Sequence, residues 1–184
     1  MKKLKSLFGN FCLKVIGWKI VGEIPSDDKY VAVIAPHTSF IDMIIGKFYN
    51  WAIGMEPKIM VKKEFFWFPM SLIIKSWGGI PVDRKKAGTL VEQMTELFSK
   101  RKKMVLAIAP EGTRSLTSEW KTGFHRIAKQ ADVPVYLFFV NFKNKTLGSL
   151  GKFIPSNEME ADIIEIKSKY KDIEGFHKEK FTIE

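Results

Sequence analysis

The sequence predicts an α/β domain with a mostly parallel central sheet flanked by helices, preceded by an N-terminal amphipathic helix. Short runs of β-branched and other apolar residues alternate along the chain with segments of helical periodicity, as they do in α/β proteins. The chain has 184 residues, 46% of them hydrophobic, which suits a single core. We therefore predict a helical segment at residues 1–22 and one domain over residues 23–184.

The N-terminal segment is strongly basic, with five lysines and no acidic residue in residues 1–20. Its apolar residues recur at the spacing of one helix face, at Leu4, Leu7, Phe8, Phe11, Val15 and Trp18. This pattern predicts a basic amphipathic helix that either lies on a membrane surface or packs on the domain. Asn10 and Lys14 interrupt the apolar run, so we expect neither a signal peptide nor a membrane-spanning helix.

The remaining elements follow from runs of apolar residues, from helical periodicity and from the positions of Pro and Gly. Pro36, for example, should end the first strand, because proline has no backbone N–H to donate. In chain order we predict a strand at 30–35, a helix at 40–51, strands at 58–61 and 80–82, a helix at 88–100, a strand at 104–108, a helix at 123–130, a strand at 135–142 and a helix at 158–170.

Composition limits the chemistry that this domain can carry. Thirty basic against 20 acidic residues give a net charge of +10, which predicts a surface for nucleic acid, anionic lipid or a phosphorylated substrate. The single cysteine, Cys12, excludes an internal disulfide framework and a multi-cysteine metal site. A protein with so few cysteines is compatible with the reducing cytoplasm, where we expect it.

A histidine and an aspartate follow the first predicted strand, in residues 36–42. His37 and Asp42 can meet if the histidine lies in a turn and the aspartate in the first turn of the next helix. A carboxylate on one imidazole nitrogen leaves the other nitrogen able to take a proton from a hydroxyl, which is the arrangement of a general base. The alternative is a helix start in which Ser39 is the N-cap and Asp42 the capping acid.

Two further segments place arginines after predicted strands. Residues 109–115 offer Gly112 for close approach to a ligand, Thr113 as a hydroxyl and Arg114 as a planar fork for phosphate, with Glu111 able to hold that arginine. A surface turn with a Glu–Arg pair is the alternative. Residues 78–84 carry a second arginine, for which a solvated basic turn is the alternative.

These segments, in this order, resemble the motif blocks of the glycerolipid acyltransferases, the family of 1-acylglycerol-3-phosphate acyltransferases and their relatives. Residues 37–42 match the H-x4-D block, residues 79–84 the second block and residues 111–115 the third, which is the most distinctive. Residues 62–69 and 121–124 resemble shorter stretches of the same family.

The resemblance implies a fold like that of glycerol-3-phosphate acyltransferase, and a reaction in phospholipid synthesis. A fatty acyl group would move from acyl-CoA or acyl-carrier protein to a hydroxyl of a lysophospholipid, and the expected acceptor is 1-acylglycerol-3-phosphate. The reaction would need no metal or redox cofactor. The implied catalytic residues are His37 and Asp42, and backbone N–H groups beside them could serve a developing oxyanion. The implied acceptor-binding residues are Glu111, Gly112, Thr113 and Arg114, with Arg84 and Lys62 adding positive charge.

We expect the protein to lie peripherally on the cytoplasmic face of an anionic membrane and not to bind nucleic acid, because the sequence has no recognisable nucleic-acid motif. Two alternatives remain within the same fold: an acyltransferase acting on another lysolipid, and a non-catalytic lipid-binding member. The aromatic run at residues 65–70 belongs either to the core, or to a surface that reaches lipid head groups or an acyl tunnel. His125 and His177 have no evident acidic partner at a usable spacing.

Overall fold

The computed structural model describes residues 2–83 and 90–184. Their helices are α1 (Lys2–Val15), α2 (Phe40–Ile53), α3 (Met70–Ser76), α4 (Leu90–Lys100), α5 (Gly123–Ala131) and α6 (Met159–Ser168), with short 3-10 turns at Lys63–Phe65 and Lys178–Lys180. Their strands are β1 (Lys19–Val21), β2 (Lys29–Ile34), β3 (Lys58–Lys62), β4 (Gly79–Val82), β5 (Met104–Ile108), β6 (Val135–Asn141) and β7 (Thr146–Phe153).

The strands form one sheet in the order β1-β7-β6-β2-β5-β3-β4. Neighbouring strands are parallel except for the β6–β7 pair, which is antiparallel. The predicted mostly parallel sheet flanked by helices is therefore confirmed. Because β2, β3, β4, β5 and β6 run in one direction, their carboxyl ends lie at the same edge of the sheet, where ligand sites form in open α/β folds.

Helices cover both faces of this sheet, and β6 shows the consequence most clearly, since all seven of its residues are buried. Val135, Leu137 and Phe139 join a core with α4, α5 and α6, whereas Tyr136, Phe138 and Val140 join a second core with α1 and α2. A strand buried on both faces has no polar face, which explains the uninterrupted apolar run in its sequence.

The nine elements predicted after the N-terminal segment are present, and their observed ends differ from the predicted ones by at most two residues. Residues 88 and 89, predicted as the start of a helix, lie outside the described residues. Three observed elements were not predicted, namely β1, α3 and β7. β7 contains glycines that suggest a loop, yet Gly148 has a φ of 156° and a Cβ there would lie 1.7 Å from the Val21 carbonyl oxygen. That glycine lets β1 approach β7.

The N-terminal helix is shorter than the predicted segment 1–22. It ends at Val15, and β1 pairs with β7 in the sheet of the main domain. Trp18, expected on the exposed apolar face of the helix, is instead buried, with its ring centroid 4.9 Å from that of Phe142. Part of the segment is therefore integral to the domain.

One face of α1 packs on α2, as the second interpretation of this helix predicted. Gly9 and Leu13 are buried, and a Cβ at Gly9 would lie 2.5 Å from the Phe48 carbonyl oxygen. The Ser6 hydroxyl donates a hydrogen bond to the Ala52 carbonyl at 2.7 Å. The close approach of the two helix backbones thus depends on a small residue at position 9.

The other face of α1 is exposed and apolar. Its large side chains are each at least half exposed: Leu4 73%, Leu7 62%, Phe8 52%, Phe11 64% and Val15 68%. The aromatic run is exposed too, at Phe65, Trp67 and Phe68, so the core interpretation of these three residues is wrong. Within the described part of the chain, none of the helices has both the length and the apolar character needed to cross a bilayer.

Candidate active site

The turn between β2 and α2 brings His37 and Asp42 together. Ser39 is the N-cap of α2, and its hydroxyl accepts a hydrogen bond from the amide of Ile41 at 3.2 Å. Asp42 Oδ2 accepts hydrogen bonds from the amides of Thr38 at 2.8 Å and Ser39 at 2.9 Å, and lies 3.5 Å from His37 Nδ1. The structure therefore combines both predicted arrangements, because the acid that caps the helix also faces the histidine.

The two side chains differ in their access to solvent. The His37 side chain is 21% exposed, whereas that of Asp42 is 3% exposed. Since Nδ1 faces the aspartate, Nε2 is the imidazole nitrogen left to meet a ligand. Asp42 Oδ1 is buried and has no hydrogen-bond partner among the described residues. The geometry is that of an oriented, accessible base next to a fixed, buried carboxylate.

Backbone amides in this turn are already engaged. His37 N–H donates to Glu111, Thr38 and Ser39 N–H donate to Asp42, and Ile41 N–H donates to Ser39. An amide that already donates a hydrogen bond is not preorganised for an oxyanion. The expectation that backbone amides here stabilise an oxyanion therefore finds no support at these four positions.

Glu111 lies after β5 and reaches the turn after the neighbouring strand β2. Its Oε2 accepts a hydrogen bond from the His37 amide at 2.8 Å, and its Oε1 is buried with no partner among the described residues. Burial raises the pKa of this carboxyl from its ordinary 4.5 to about 7, although the hydrogen bond and the charge of His37 oppose the shift. Glu111 is thus a buried support for the backbone at His37.

This role corrects the prediction that Glu111 holds Arg114. Arg114 is exposed, and the described residues show no ion pair between the two side chains. Gly112 and Thr113 are also exposed, and Gly112 adopts a φ of 65° that favours glycine. These residues therefore form an open loop above the buried glutamate.

The remaining predicted residues are distributed around the same edge of the sheet. Lys62 is the exposed last residue of β3, which pairs with β5. Arg84 lies outside the described residues, so its predicted place in the site stays a prediction. The structure thus places His37, Asp42, Glu111 and Lys62 after or at the carboxyl ends of parallel strands.

Two histidine–carboxylate pairs were not predicted from the sequence. His125 Nε2 lies 2.6 Å from Asp162 Oδ2, and both residues are buried. His177 Nδ1 lies 3.4 Å from Glu179 Oε1. The expectation that both histidines lack an acidic partner is wrong. For the first pair, 37 residues separate the partners, so no local pattern predicts the contact.

The His125–Asp162 pair joins two helices. Asp162 also accepts hydrogen bonds from the Ser156 amide at 2.6 Å and the Ser156 hydroxyl at 2.7 Å, and these bonds together with His125 lower the pKa of the carboxyl against the opposing effect of burial. Buried polar groups with several mutual hydrogen bonds commonly fix one packing arrangement. We interpret this cluster as structural, because it ties α5 to α6.

Glu111 should make the stability of the fold depend on pH. Because burial raises its pKa above the ordinary value of 4.5, its contribution is fully present below about pH 4.5 and is lost as the pH rises to about 7. The shift corresponds to about 3 kcal/mol in the free energy of unfolding. Glu111→Gln keeps an acceptor for the His37 amide and cannot ionise. We therefore expect its Tm to fall less than that of the wild type between those pH values.

Thermal unfolding of the two proteins across this pH range checks the assignment. Titrating groups that both proteins share contribute equally to the two Tm values, so their effects cancel in the difference. A Tm difference between wild type and Glu111→Gln that stays constant with pH would contradict the raised pKa of Glu111.

Comparison with known proteins places this arrangement in a family. The family model described as Acyltransferase matches residues 19–139, which include the turn at His37 and the loop at Glu111. No curated protein matches the chain. Among solved structures, the chain is similar to the 1-acyl-sn-glycerophosphate (LPA) acyltransferase PlsC from Thermotoga maritima, with a TM-score of 0.61 and 19% sequence identity.

The structural match covers 91% of this chain and 77% of that one. At this identity the match shows that the two proteins share a fold, in agreement with the predicted mixed α/β architecture. The family model itself spans well over half of the chain and carries the assignment of activity class. The chain belongs to the Acyltransferase family.

Proposed function

We propose that the protein transfers a fatty acyl group from an acyl thioester, acyl-CoA or acyl-carrier protein, to a hydroxyl of 1-acylglycerol-3-phosphate or a similar lysophospholipid. The observation that carries the proposal is the partly exposed His37 beside the buried Asp42 in a member of this family. The similar solved protein from Thermotoga maritima is an LPA acyltransferase, which supports the same acceptor class. Another lysolipid acceptor remains the alternative that the experiments below separate.

The geometry suggests how the reaction would proceed. His37 Nε2 takes the proton of the acceptor hydroxyl while the hydroxyl oxygen attacks the thioester carbonyl carbon. The tetrahedral intermediate then collapses, the C–S bond breaks, and the thiolate leaves with the proton that His37 returns. Asp42 orients the imidazole through Nδ1 and stabilises its transient positive charge. In this orienting role Asp42 keeps the hydrogen bonds that it accepts from the backbone of the turn.

Removing the proposed base gives the most direct test. We expect His37→Ala to lower kcat by about 100-fold to 10,000-fold, the usual contribution of a general base, with little change in Tm because Asp42 and Glu111 hold the turn through its backbone amides. Radiolabelled acyl transfer by the purified protein measures this.

Asp42→Asn should also lower kcat severely, because the imidazole of His37 loses the carboxylate that orients it. A folded His37→Ala protein with wild-type turnover would refute the mechanism, and absence of turnover in the wild type would favour the non-catalytic lipid-binding alternative.

Arg114 is the proposed reader of the acceptor phosphate, since its guanidinium is exposed in the loop above Glu111. Losing a charge-assisted hydrogen bond costs about 1.5–3 kcal/mol, so Arg114→Ala should raise the KM for 1-acylglycerol-3-phosphate at least tenfold and leave the KM for the donor nearly unchanged. Arg114→Lys should recover part of the loss, because an ammonium lacks the bidentate geometry. Assays with phosphorylated and unphosphorylated acceptors check the assignment, and equal losses on both would contradict it.

We further propose that the enzyme works as a peripheral protein on the cytoplasmic face of an anionic membrane. The apolar face of α1 carries five exposed large side chains, and Lys2, Lys3 and Lys5 lie on the same helix. Apolar side chains can enter the head-group boundary while lysines meet anionic lipids. One helix thus supplies both interactions that such docking needs.

The aromatic segment, residues 65–73, adds a second exposed apolar surface through Phe65, Trp67, Phe68, Leu72 and Ile73. Helix α2 contacts α1 and the residue that follows α3. The Phe8 ring on α1 is 5.8 Å from that of Trp51 on α2, and Lys47 Nζ lies 5.6 Å from the Trp51 ring and 5.4 Å from the Trp77 ring that follows α3. Both elements thus contact α2, and this connection supports docking of the two surfaces on one membrane.

Substitution of the exposed face of α1 tests the docking without disturbing its packing on α2. We expect Leu7→Ser/Phe11→Ser to weaken binding to anionic vesicles at least tenfold, because each buried apolar side chain contributes on the order of 1.5 kcal/mol or more. Activity on vesicle-presented acceptor should fall, and activity on a short-chain soluble acceptor should persist. Vesicle sedimentation and parallel assays measure the three quantities.

Ile154→Ser/Ile164→Ser provides the matched control, since Ile154 and Ile164 are 65% and 69% exposed in other parts of the molecule. This variant should bind vesicles like the wild type. Raising the salt concentration should weaken binding of the wild type without abolishing it, because salt screens the lysines and leaves the apolar contribution. Wild-type vesicle binding by Leu7→Ser/Phe11→Ser would exclude α1 as the docking element.

A further inference from the structure

We propose that residues 172–177, here called the C-terminal strap, position the turn that carries His37, and that Gly175 and Thr38 are the positioning residues. This inference rests on the proposed role of His37 as the general base. The strap lies beyond the region matched by the family model, which ends at residue 139. It gives a function to a part of the chain whose sequence carries no motif.

The strap is fixed to the end of β6. The Phe142 amide donates to the Glu174 carbonyl at 2.9 Å, and the Glu174 amide donates to Asn141 Oδ1 at 3.3 Å. The Asn141 side-chain amide in turn donates to the Asp172 carbonyl at 3.3 Å. The rings of Phe142 and Phe176 lie 5.2 Å apart. With these contacts the strap has a defined position relative to the sheet.

From this position the strap contacts Thr38, the residue after His37. The His177 amide donates a hydrogen bond to Thr38 Oγ1 at 3.1 Å. Thr38 is 3% exposed, although it belongs to a surface turn next to the accessible His37. The strap therefore covers the turn on the side of Thr38.

At Gly175 the strap backbone approaches the turn closely. A Cβ at this position would lie 2.7 Å from Thr38 Oγ1, 2.8 Å from Thr38 Cγ2 and 3.1 Å from Pro36 Cβ. Distances this short require the neighbours to move. The absence of a side chain at Gly175 thus allows the strap to rest on both residues that flank His37.

Movement of Thr38 would reach the candidate catalytic pair directly. The Thr38 amide donates to Asp42 Oδ2, the same oxygen that lies 3.5 Å from His37 Nδ1. That separation is already long for a hydrogen bond, so a small rotation of the turn would separate the imidazole from its carboxylate. Misplacement by about 1 Å can cost about 100-fold in rate. The strap would thereby act on the rate through His37 without touching the substrate.

A size-exchange experiment tests the contact. We expect Gly175→Ala to lower kcat by about 10-fold to 100-fold with little change in the KM of either substrate. Thr38→Ala should lower kcat less, since it removes one hydrogen bond and leaves the turn amides in place. The double variant Gly175→Ala/Thr38→Ala should match Thr38→Ala alone, because the new methyl group enters the space that the threonine side chain leaves.

The pH profile of kcat separates positioning from general loss of structure. Loosening His37 from Asp42 favours the neutral imidazole, so the acidic limb of the profile should move to lower pH in Gly175→Ala and return toward the wild-type position in the double variant. Gly46→Ala is the matched control, since a Cβ at Gly46 meets nothing within 4 Å. It should keep the wild-type kcat and pH profile.

Each outcome decides the inference. Wild-type kcat and pH profile in Gly175→Ala, or a double variant no better than Gly175→Ala, would overturn it. If Gly175→Ala does not fold, wild-type kcat and pH profile in Thr38→Ala would overturn it instead. Activity that survives His37→Ala would refute the proposed function itself, whereas loss in His37→Ala with wild-type behaviour of the strap variants would refute the positioning role alone.

Discussion

Two buried carboxylates hold the backbone of the turn between β2 and α2, and the candidate site depends on this constraint. Asp42 accepts hydrogen bonds from the amides of Thr38 and Ser39, and Glu111 accepts one from the amide of His37. Three consecutive residues are thus fixed by two acids from different parts of the chain. Each acid also has one buried oxygen without a hydrogen-bond partner among the described residues.

The sheet makes this arrangement possible. β2 and β5 are parallel neighbours, and Val33 lies opposite Ile108 in their register, so the two strands end at nearly the same level. The chain after β2 forms the histidine turn, and the chain after β5 carries Glu111 back toward it. A shift of this register would carry Glu111 away from the His37 amide. Packing of the central strands therefore matters for function as well as for stability, because a slip of one residue would exchange side chains between two differently packed cores.

Features that depend on neighbouring residues were accessible from the sequence. The apolar runs predicted the central strands, and the five-residue spacing of His37 and Asp42 predicted a meeting across a turn and a helix start, which the structure shows at 3.5 Å. Contacts between distant residues were not accessible. Local reasoning paired Glu111 with nearby Arg114, whereas folding pairs it with an amide 74 positions away. The contact between Gly175 and Thr38 has no sequence signal at all, since a glycine in a loop has many possible causes.

The exposed aromatic residues show a different limit of sequence reasoning. Phe65, Trp67 and Phe68 have a composition that usually indicates a core, yet both sheet faces are already covered by other helices and these side chains remain at the surface. A run of aromatic residues does not reveal whether the core has room for it. The complete fold decides this, because the helices that fill the core come from elsewhere in the chain.

Helix α2 connects the candidate chemistry with the proposed lipid surface. It begins directly after the histidine turn, and its exposed apolar residues Phe40, Ile41 and Ile44 lie within the first five positions. At 1.5 Å per residue, Ile44 is only about 7 Å along the helix axis from the cap. If a lipid surface contacts these residues together with α1, His37 lies near the head-group boundary. A lysophospholipid hydroxyl at that depth could then meet the imidazole while the acyl chain of the lipid stays in the membrane. Helix α2 would thus set both the position of the base and the distance between the base and the substrate.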